Sequence, residues 1–291
     1  MDNCGENGEK GEGDRGNGRE NRGRKPRKNK VFHKLIHSVE KVRRENPQTV
    51  EKRKNLCYNG NMAEKTPDFE RIYALFEKNR AAFERFYELL LQYNERYNLT
   101  AITQKEEVIH KHFLDSLAGE HLFPQGTAAV EIGSGAGFPS LPLKIVRPDL
   151  SLTLIESTGK KCEFLRAAVR ELGLDGVTVL NTRAEDAGKG PLREKFDAAF
   201  ARAVAPLASL AEYCMPLVRV GGQFIAYKGA ADELAGGRKA IATLGGGEAE
   251  RVCYELPADY GARSLIVVGK IRPTPLKYPR GQGKERSAPI A

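Results

Sequence analysis

Three glycines at alternate positions, Gly133, Gly135 and Gly137, carry the clearest chemical signal in the chain, within Glu131-Ile-Gly-Ser-Gly-Ala-Gly-Phe138. Glycine lets a backbone turn sharply and lets its N–H groups approach a ligand with no β-carbon in the way. The turn directly follows one apolar run and opens a helical one, the setting in which glycine-rich turns hold cofactors. Glu156 closes the next apolar run, in Leu152-Thr-Leu-Ile-Glu156, where a carboxylate can accept hydrogen bonds from both ribose hydroxyls of a nucleoside. Ala184 and Glu185 follow the third run and are placed to line an adenine through a backbone amide and a carboxylate. Arg202 ends the fourth run with a fixed positive charge and a planar fork of donors. Lys228, in Tyr227-Lys-Gly229, ends the fifth and is placed to touch phosphate or base. Singly, each has a plain alternative, such as a solvated strand-end acid or a surface arginine. Their order and spacing argue for the set.

These positions need a scaffold that brings the ends of several runs to one edge. Short apolar runs rich in β-branched residues recur at 128–132, 151–156, 177–181, 196–201, 222–228, 250–256 and 264–269. Helical patterns lie between most of them, at 138–146, 160–172, 206–217 and 232–244. This alternation predicts an α/β fold with a Rossmann-like, seven-stranded, mostly parallel sheet and helices on both faces. No long helix separates the last two strands, so the final strand is expected to be antiparallel. Upstream, Phe69, Ile72, Tyr73, Phe76, Phe83, Phe86, Tyr87, Leu90 and Leu91 recur at three- and four-residue steps, predicting one amphipathic helix with Pro67 in its first turn. A further helix is expected from Lys105 to Leu117.

Charge divides the chain differently. Residues 1–61 hold 16 Lys+Arg against 9 Asp+Glu and no sustained apolar periodicity, whereas the other 230 residues are nearly balanced. The expected organisation is a basic low-complexity tail over 1–61, N-terminal helices over 62–120, and a Rossmann-like domain over 121–291. The tail reads as disordered, or as a translated upstream stretch with Met62 the true start. The five cysteines are scattered without a C-x-x-C pair, which predicts reduced thiols rather than a zinc site or disulfide framework. His110 and His112 point about 200° apart on a helix, so no metal is expected there. The absence of a secretory signal or a long apolar span predicts a cytoplasmic protein without a membrane partner. Oligomeric state is left open, with a monomer the expectation.

Cofactor and acceptor are narrowed by elimination. A dinucleotide fingerprint would need glycine where Phe138 stands, and a phosphate-binding P-loop would need Gly-Lys-Ser/Thr after the turn. The E-x-G-x-G-x-G form instead resembles motif I of class I S-adenosylmethionine-dependent methyltransferases. Around the fourth run, Phe196-Asp-Ala-Ala-Phe-Ala-Arg-Ala-Val-Ala-Pro206 lacks the Asn/Asp-Pro-Pro-aromatic motif used on exocyclic base amines. Cys162 and Cys214 fall inside expected helices, poor places for a nucleophile on cytosine carbon 5. The strip Lys270-Ile-Arg-Pro-Thr-Pro-Leu-Lys-Tyr-Pro-Arg280 suits a nucleic-acid backbone with base stacking, and equally a solvated basic tail. An enzyme acting on a small molecule or protein, and an RNA-binding assembly factor without turnover, both remain open on these residues.

Six blocks in order narrow the choice further: Tyr93-Asn-Glu-Arg-Tyr-Asn-Leu-Thr100, His112-Phe-Leu-Asp-Ser-Leu117, Ile132-Gly-Ser-Gly-Ala-Gly-Phe-Pro139, Arg202-Ala-Val-Ala205, Tyr227-Lys-Gly229 and Thr274-Pro-Leu-Lys-Tyr-Pro-Arg280. With them the chain, from about residue 68 to 290, resembles the bacterial ribosomal RNA small-subunit methyltransferase G family, also called glucose-inhibited division protein B. The resemblance implies methylation of guanine N7 in 16S ribosomal RNA of the small subunit, with S-adenosyl-L-methionine as donor. It places cofactor contacts on Gly133, Phe138, Ala184, Glu185 and Arg202, beside Gly135 and Glu156 from the residues themselves. Guanine N7 carries no proton, so Arg202 is expected to act by positioning and electrostatics, with no general base. Two departures from the family pattern stand out. Ser140 replaces the glycine that usually follows Phe-Pro, and Glu131 stands where aspartate is more usual.

Overall fold

The computed structural model describes residues 66–290; the expectations for the basic tail and for Met62 lie outside them. The amphipathic stretch after Pro67 forms two helices rather than one, α1 (Phe69–Lys78) and α2 (Arg80–Tyr97). Asp68 caps α1 by accepting from the Glu70 and Arg71 N–H groups, so Pro67 precedes the cap instead of sitting in the first turn. Asn79 separates the helices, its side-chain amide donating back to the Leu75 carbonyl at 2.9 Å, a local alternative to helix continuation. The apolar spacing runs across this break because both helices face one core, with the Phe76 and Phe83 rings 4.8 Å apart. Next, α3 (Lys105–Val108) continues through a π-helical segment (Ile109–Leu114) into α4 (Asp115–Leu117).

The seven expected strands are all present: β1 (Ala128–Ile132), β2 (Ser151–Glu156), β3 (Val177–Asn181), β4 (Phe196–Arg202), β5 (Val218–Lys228), β6 (Gly246–Glu255) and β7 (Ala262–Lys270). They form one sheet in the order β3-β2-β1-β4-β5-β7-β6. The ladders from β3 across to β5 are parallel, while β7 runs antiparallel to both β5 and β6. Strands β1 and β4 read as near-continuous apolar runs because both faces of their sheet are covered. Strands β5 and β6 begin four residues earlier than their apolar runs, in Val218-Arg-Val-Gly-Gly222 and Gly246-Gly-Glu248, whose glycines and polar residues imitate a turn.

Helices α5 (Ser140–Val146), α6 (Gly159–Glu171), α7 (Ala184–Lys189), α8 (Leu207–Cys214), α9 (Leu234–Thr243) and α10 (Lys284–Ser287) complete the layers. One face of the sheet packs on an aromatic cluster from the N-terminal helices and their neighbours, including Phe83, Phe86, Phe113, Phe164 and Phe200. The other packs on smaller side chains of α8 and α9 with Phe224, Ile266 and Tyr278. Chain order reverses between β2-β1 and β4-β5, so a crevice opens at the C-terminal ends of β1 and β4. Gly133, Glu156 and Arg202 all lie on that edge, since Ile132 pairs with Ile155 and Glu131 with Phe200.

Candidate functional site

The glycine turn is stitched to β2 by its own backbone. Gly133 and Ser134 N–H groups donate to the Ile155 carbonyl at 2.8 and 3.3 Å, and Gly137 N–H donates to Ser134 O. Gly133 has φ +68°, and a β-carbon there would lie 2.8 Å from Val204 Cγ2; at Gly137, φ +81°, it would lie 2.5 Å from Leu141 Cδ1. Glycine is therefore required at both by conformation and by space. Glu156 accepts from Gly135 N–H at 3.0 Å through Oε2 and from Thr158 N–H at 2.8 Å through Oε1. Each oxygen retains a second lone pair, the pattern that accepts a vicinal diol. Ala184 and Glu185 open α7 after β3, both half-buried. A bare turn, a diol-accepting carboxylate and this edge together fit a nucleoside cofactor.

Arg202 is half-buried and tied into a network rather than presented on a surface. Its guanidinium donates to Asp115 Oδ2 at 3.0 Å, to the Lys111 carbonyl at 3.1 Å and to His112 Nδ1 at 3.2 Å. It also lies 5.1 Å from the centroid of the Phe138 ring. Phe138 stacks on His112 at 4.5 Å and packs on Phe86 and Phe113. The Phe138 ring is thus spent on the N-terminal helices, leaving mainly its backbone to a ligand. His112 Nδ1 also lies 3.2 Å from the Lys111 carbonyl; facing a guanidinium, which can only donate, it serves as the acceptor of the neutral ring, with Nε2 2.9 Å from Thr100 Oγ1. Burial, reinforced by the Arg202 charge, pushes the His112 pKa down to about 3. Asp115 also accepts from Tyr254 Oη at 2.8 Å. Sequence reasoning missed His112 and Asp115 as site residues, although the block containing both was visible.

Glu131 and Ser140 touch each other. Ser140 Oγ donates to Glu131 Oε2, beneath the glycine turn. Burial pushes the fully buried Glu131 carboxyl up to about 8, against the opposing pull of Ser140 and Arg202. His110, two residues before His112, turns away from this network and stacks on Tyr260 at 4.4 Å. Among the described residues no group of three His, Cys, Asp or Glu side chains gathers into a metal-binding arrangement.

Beside the turn, a cavity of about 920 Å³ opens between the ends of β4 and β5 and the start of α8. Val204, whose side chain abuts Gly133, lines it together with Arg202, Pro206, Lys228 and Glu233. Lys228 does not extend a free ammonium toward phosphate. Its Nζ donates to the Ala205 carbonyl at 2.7 Å and to Glu233 Oε2 at 2.8 Å.

The basic C-terminal strip is likewise mostly structural. Lys270 is buried and donates to Glu194 and to the Met215 and Val218 carbonyls. Arg280 pairs with fully buried Glu212 at 2.7 Å, and Tyr278 is buried in the core. Arg272, Leu276 and Lys277 stay exposed, so the strip straps the domain and offers only part of its length to solvent.

A crevice with these residues, on a sheet of this strand order, defines a class I S-adenosylmethionine-dependent methyltransferase. The family model described as rRNA small subunit methyltransferase G matches residues 79–256, and the chain belongs to that family. Curated relatives include the ribosomal RNA small subunit methyltransferase G of Exiguobacterium sp., 46% identical over 223 residues, covering 75% of this chain and 94% of the relative. The protein of the same name from Lactobacillus johnsonii is 46% identical over 225 residues, again with 75% and 94% covered. That from Staphylococcus aureus is 43% identical over 225 residues, with 76% and 94% covered. Among the described residues no helix is long and apolar enough to cross a membrane.

Proposed function

We propose that this protein methylates N7 of a guanine in 16S ribosomal RNA, working in the cytoplasm with S-adenosylmethionine as donor. The observation that carries the reading is the state of the ionisable groups gathered around Arg202 at the end of β4. His112, Asp115 and Arg202 satisfy one another, and His112 is held neutral far below physiological pH. The three are turned toward one another rather than toward an acceptor. Guanine N7 presents a lone pair and no proton, so it is an acceptor that this wall can serve without a general base.

The cofactor, when bound, supplies a methyl group on a sulfonium centre. Glu156 holds the ribose hydroxyls, Ala184 and Glu185 line the purine, and Gly133, Gly135 and the Phe138 backbone hold the remainder. Arg202 acts as a fixed cation whose orientation is set by Asp115 and Phe138. Rate then derives from in-line placement of N7 and from the preset electrostatics of the crevice. A-form RNA buries the N7 edge in a deep, narrow groove, so the target guanine lies in an open segment.

Purified enzyme with labelled donor should place label on guanine N7 of small-subunit RNA, read by N7-methylguanosine mapping. Unlabelled RNA, or label on any other atom, overturns the reading. RNA binding should also weaken as salt rises, reflecting phosphate contacts.

A further inference from the structure

The cavity wall on the β5 side holds a carboxylate that is only half used. Glu233 Oε2 accepts from Lys228 Nζ at 2.8 Å and from Leu207 N–H, the first amide of α8, at 2.8 Å. Among the described residues no donor reaches Oε1. The side chain of Lys228 is 8% exposed and that of Glu233 33% exposed, so the cation lies behind and the carboxylate faces the cavity. An ammonium and a helix N-terminus together offset the desolvation of the charge they hold. Alongside Glu233 the lining includes Ala203, Val204, Ala205 and Pro206, an apolar stretch suited to a flat ring, with Val204 against Gly133. The turn follows β1 and Lys228 ends β5, two strand spacings away, or about 10 Å.

We propose that Glu233 is the residue that selects guanine, its Oε1 accepting the N1–H and 2-amino groups of the target base. This rests on the guanine N7 reading above. In guanine, N7 and the N1–H/2-amino edge lie on opposite sides of the ring system. A base whose N7 meets the methyl group at the turn therefore presents its two adjacent donors to the β5 wall. Oε1 has both lone pairs available for them. Adenine would present a bare N1 lone pair to the same oxygen, an unfavourable pairing of acceptors. Lys228 serves as the positioning residue that holds the carboxylate in place.

The test uses full-length enzyme and 16S RNA ligated to carry guanosine or inosine at the methylated position. Inosine keeps N7 and N1–H but lacks the 2-amino group. Wild-type kcat/KM should fall about 10- to 100-fold on inosine, as expected for a lost hydrogen bond to a charged acceptor. Glu233→Gln, which keeps an oxygen for Lys228 and Leu207, should lose a similar factor on guanosine, mainly in KM. It should lose much less on inosine, while its Kd for S-adenosylmethionine stays at the wild-type value. Equal wild-type rates on the two RNAs, or a Glu233→Gln enzyme as good as wild type on guanosine, overturn the assignment. Were Glu233→Gln to fold poorly, the inosine comparison with wild-type enzyme would still decide. A wild-type enzyme that fails to methylate N7 of guanosine overturns the guanine reading itself, and the assignment with it.

Discussion

The crevice has two rims made of different material. The β1–β2 rim works through backbone: the Gly133 to Gly137 turn is tied to Ile155 and Glu156 by main-chain N–H groups. The β4–β5 rim works through paired side chains, Arg202 with Asp115 and Lys228 with Glu233. Partners on the first rim lie within about twenty positions of one another, whereas Asp115 is 87 residues from Arg202 and 139 from Tyr254. The β1–β2 rim is therefore a local device, while the Arg202–Asp115 pair of the β4–β5 rim exists only once the N-terminal helices have docked. Changes far from the crevice should damage substrate handling more readily than donor binding.

That contrast can be tested by substitution. Asp115→Ala should cost about 3 kcal/mol in urea unfolding, because it leaves the half-buried Arg202 cation without its carboxylate. A loss below about 1 kcal/mol would mean that the β4–β5 rim does not depend on this long-range pair. Arg280→Ala should cost about 3 kcal/mol, since Glu212 is fully buried, and should leave the salt dependence of RNA binding unchanged. Lys277→Ala should do the reverse, lowering that salt slope without a measurable change in Tm. On the β1–β2 rim, Gly133→Ala should cost about 1–3 kcal/mol through positive φ and the Val204 clash. It should weaken S-adenosylmethionine binding at least tenfold by calorimetry while sparing RNA affinity.

The smallest expected effects separate the rims by pH. The His112 pKa is about 3 when folded, against an ordinary value of 6.5, so unfolding takes up a proton between those values. Stability should therefore fall as pH drops from about 6.5 toward 3, and His112→Asn should flatten that slope. Glu131 shifts the opposite way, from 4.5 to about 8, so its stabilising contribution is lost as pH rises through that window. Glu131→Gln should resist alkali better than wild type, by Tm measured from pH 6 to 9. Acid then weakens the β4–β5 rim and alkali the β1–β2 rim; parallel pH profiles for the two variants would erase the distinction.

Strand positions and the glycine turn were legible because their causes are local: apolar runs, β-branching, and glycines directly after a strand. Glu156 and Arg202 were legible as strand ends. What a side chain does after reaching the edge was less so. Lys228 and Arg280 resemble free cations in composition, and only folding brings Glu233 and Glu212 against them. Lys270 and Tyr278 turn inward for the same reason, which converts a strip read as a nucleic-acid contact into a strap. The Asn79 break escaped because apolar periodicity reports which residues face the core and not whether the helix axis is continuous. Asp115 and His112 were missed because a buried acid and a neutral histidine carry no local mark of the arginine they orient.

The hydrogen bond between Ser140 and Glu131 bears on how such a sequence can drift. Glu131 Oε1 already lacks a partner, and replacing Ser140 by glycine alone would take the hydroxyl donor from the second carboxyl oxygen. Shortening Glu131 to aspartate alone would draw the acceptor away from the serine hydroxyl. Each single change leaves a buried polar atom without its side-chain partner, a loss of about 1–3 kcal/mol. The two sites are thus epistatic: the pair exchanges more easily together than one residue at a time, and a lineage that acquires either change is biased toward acquiring the other.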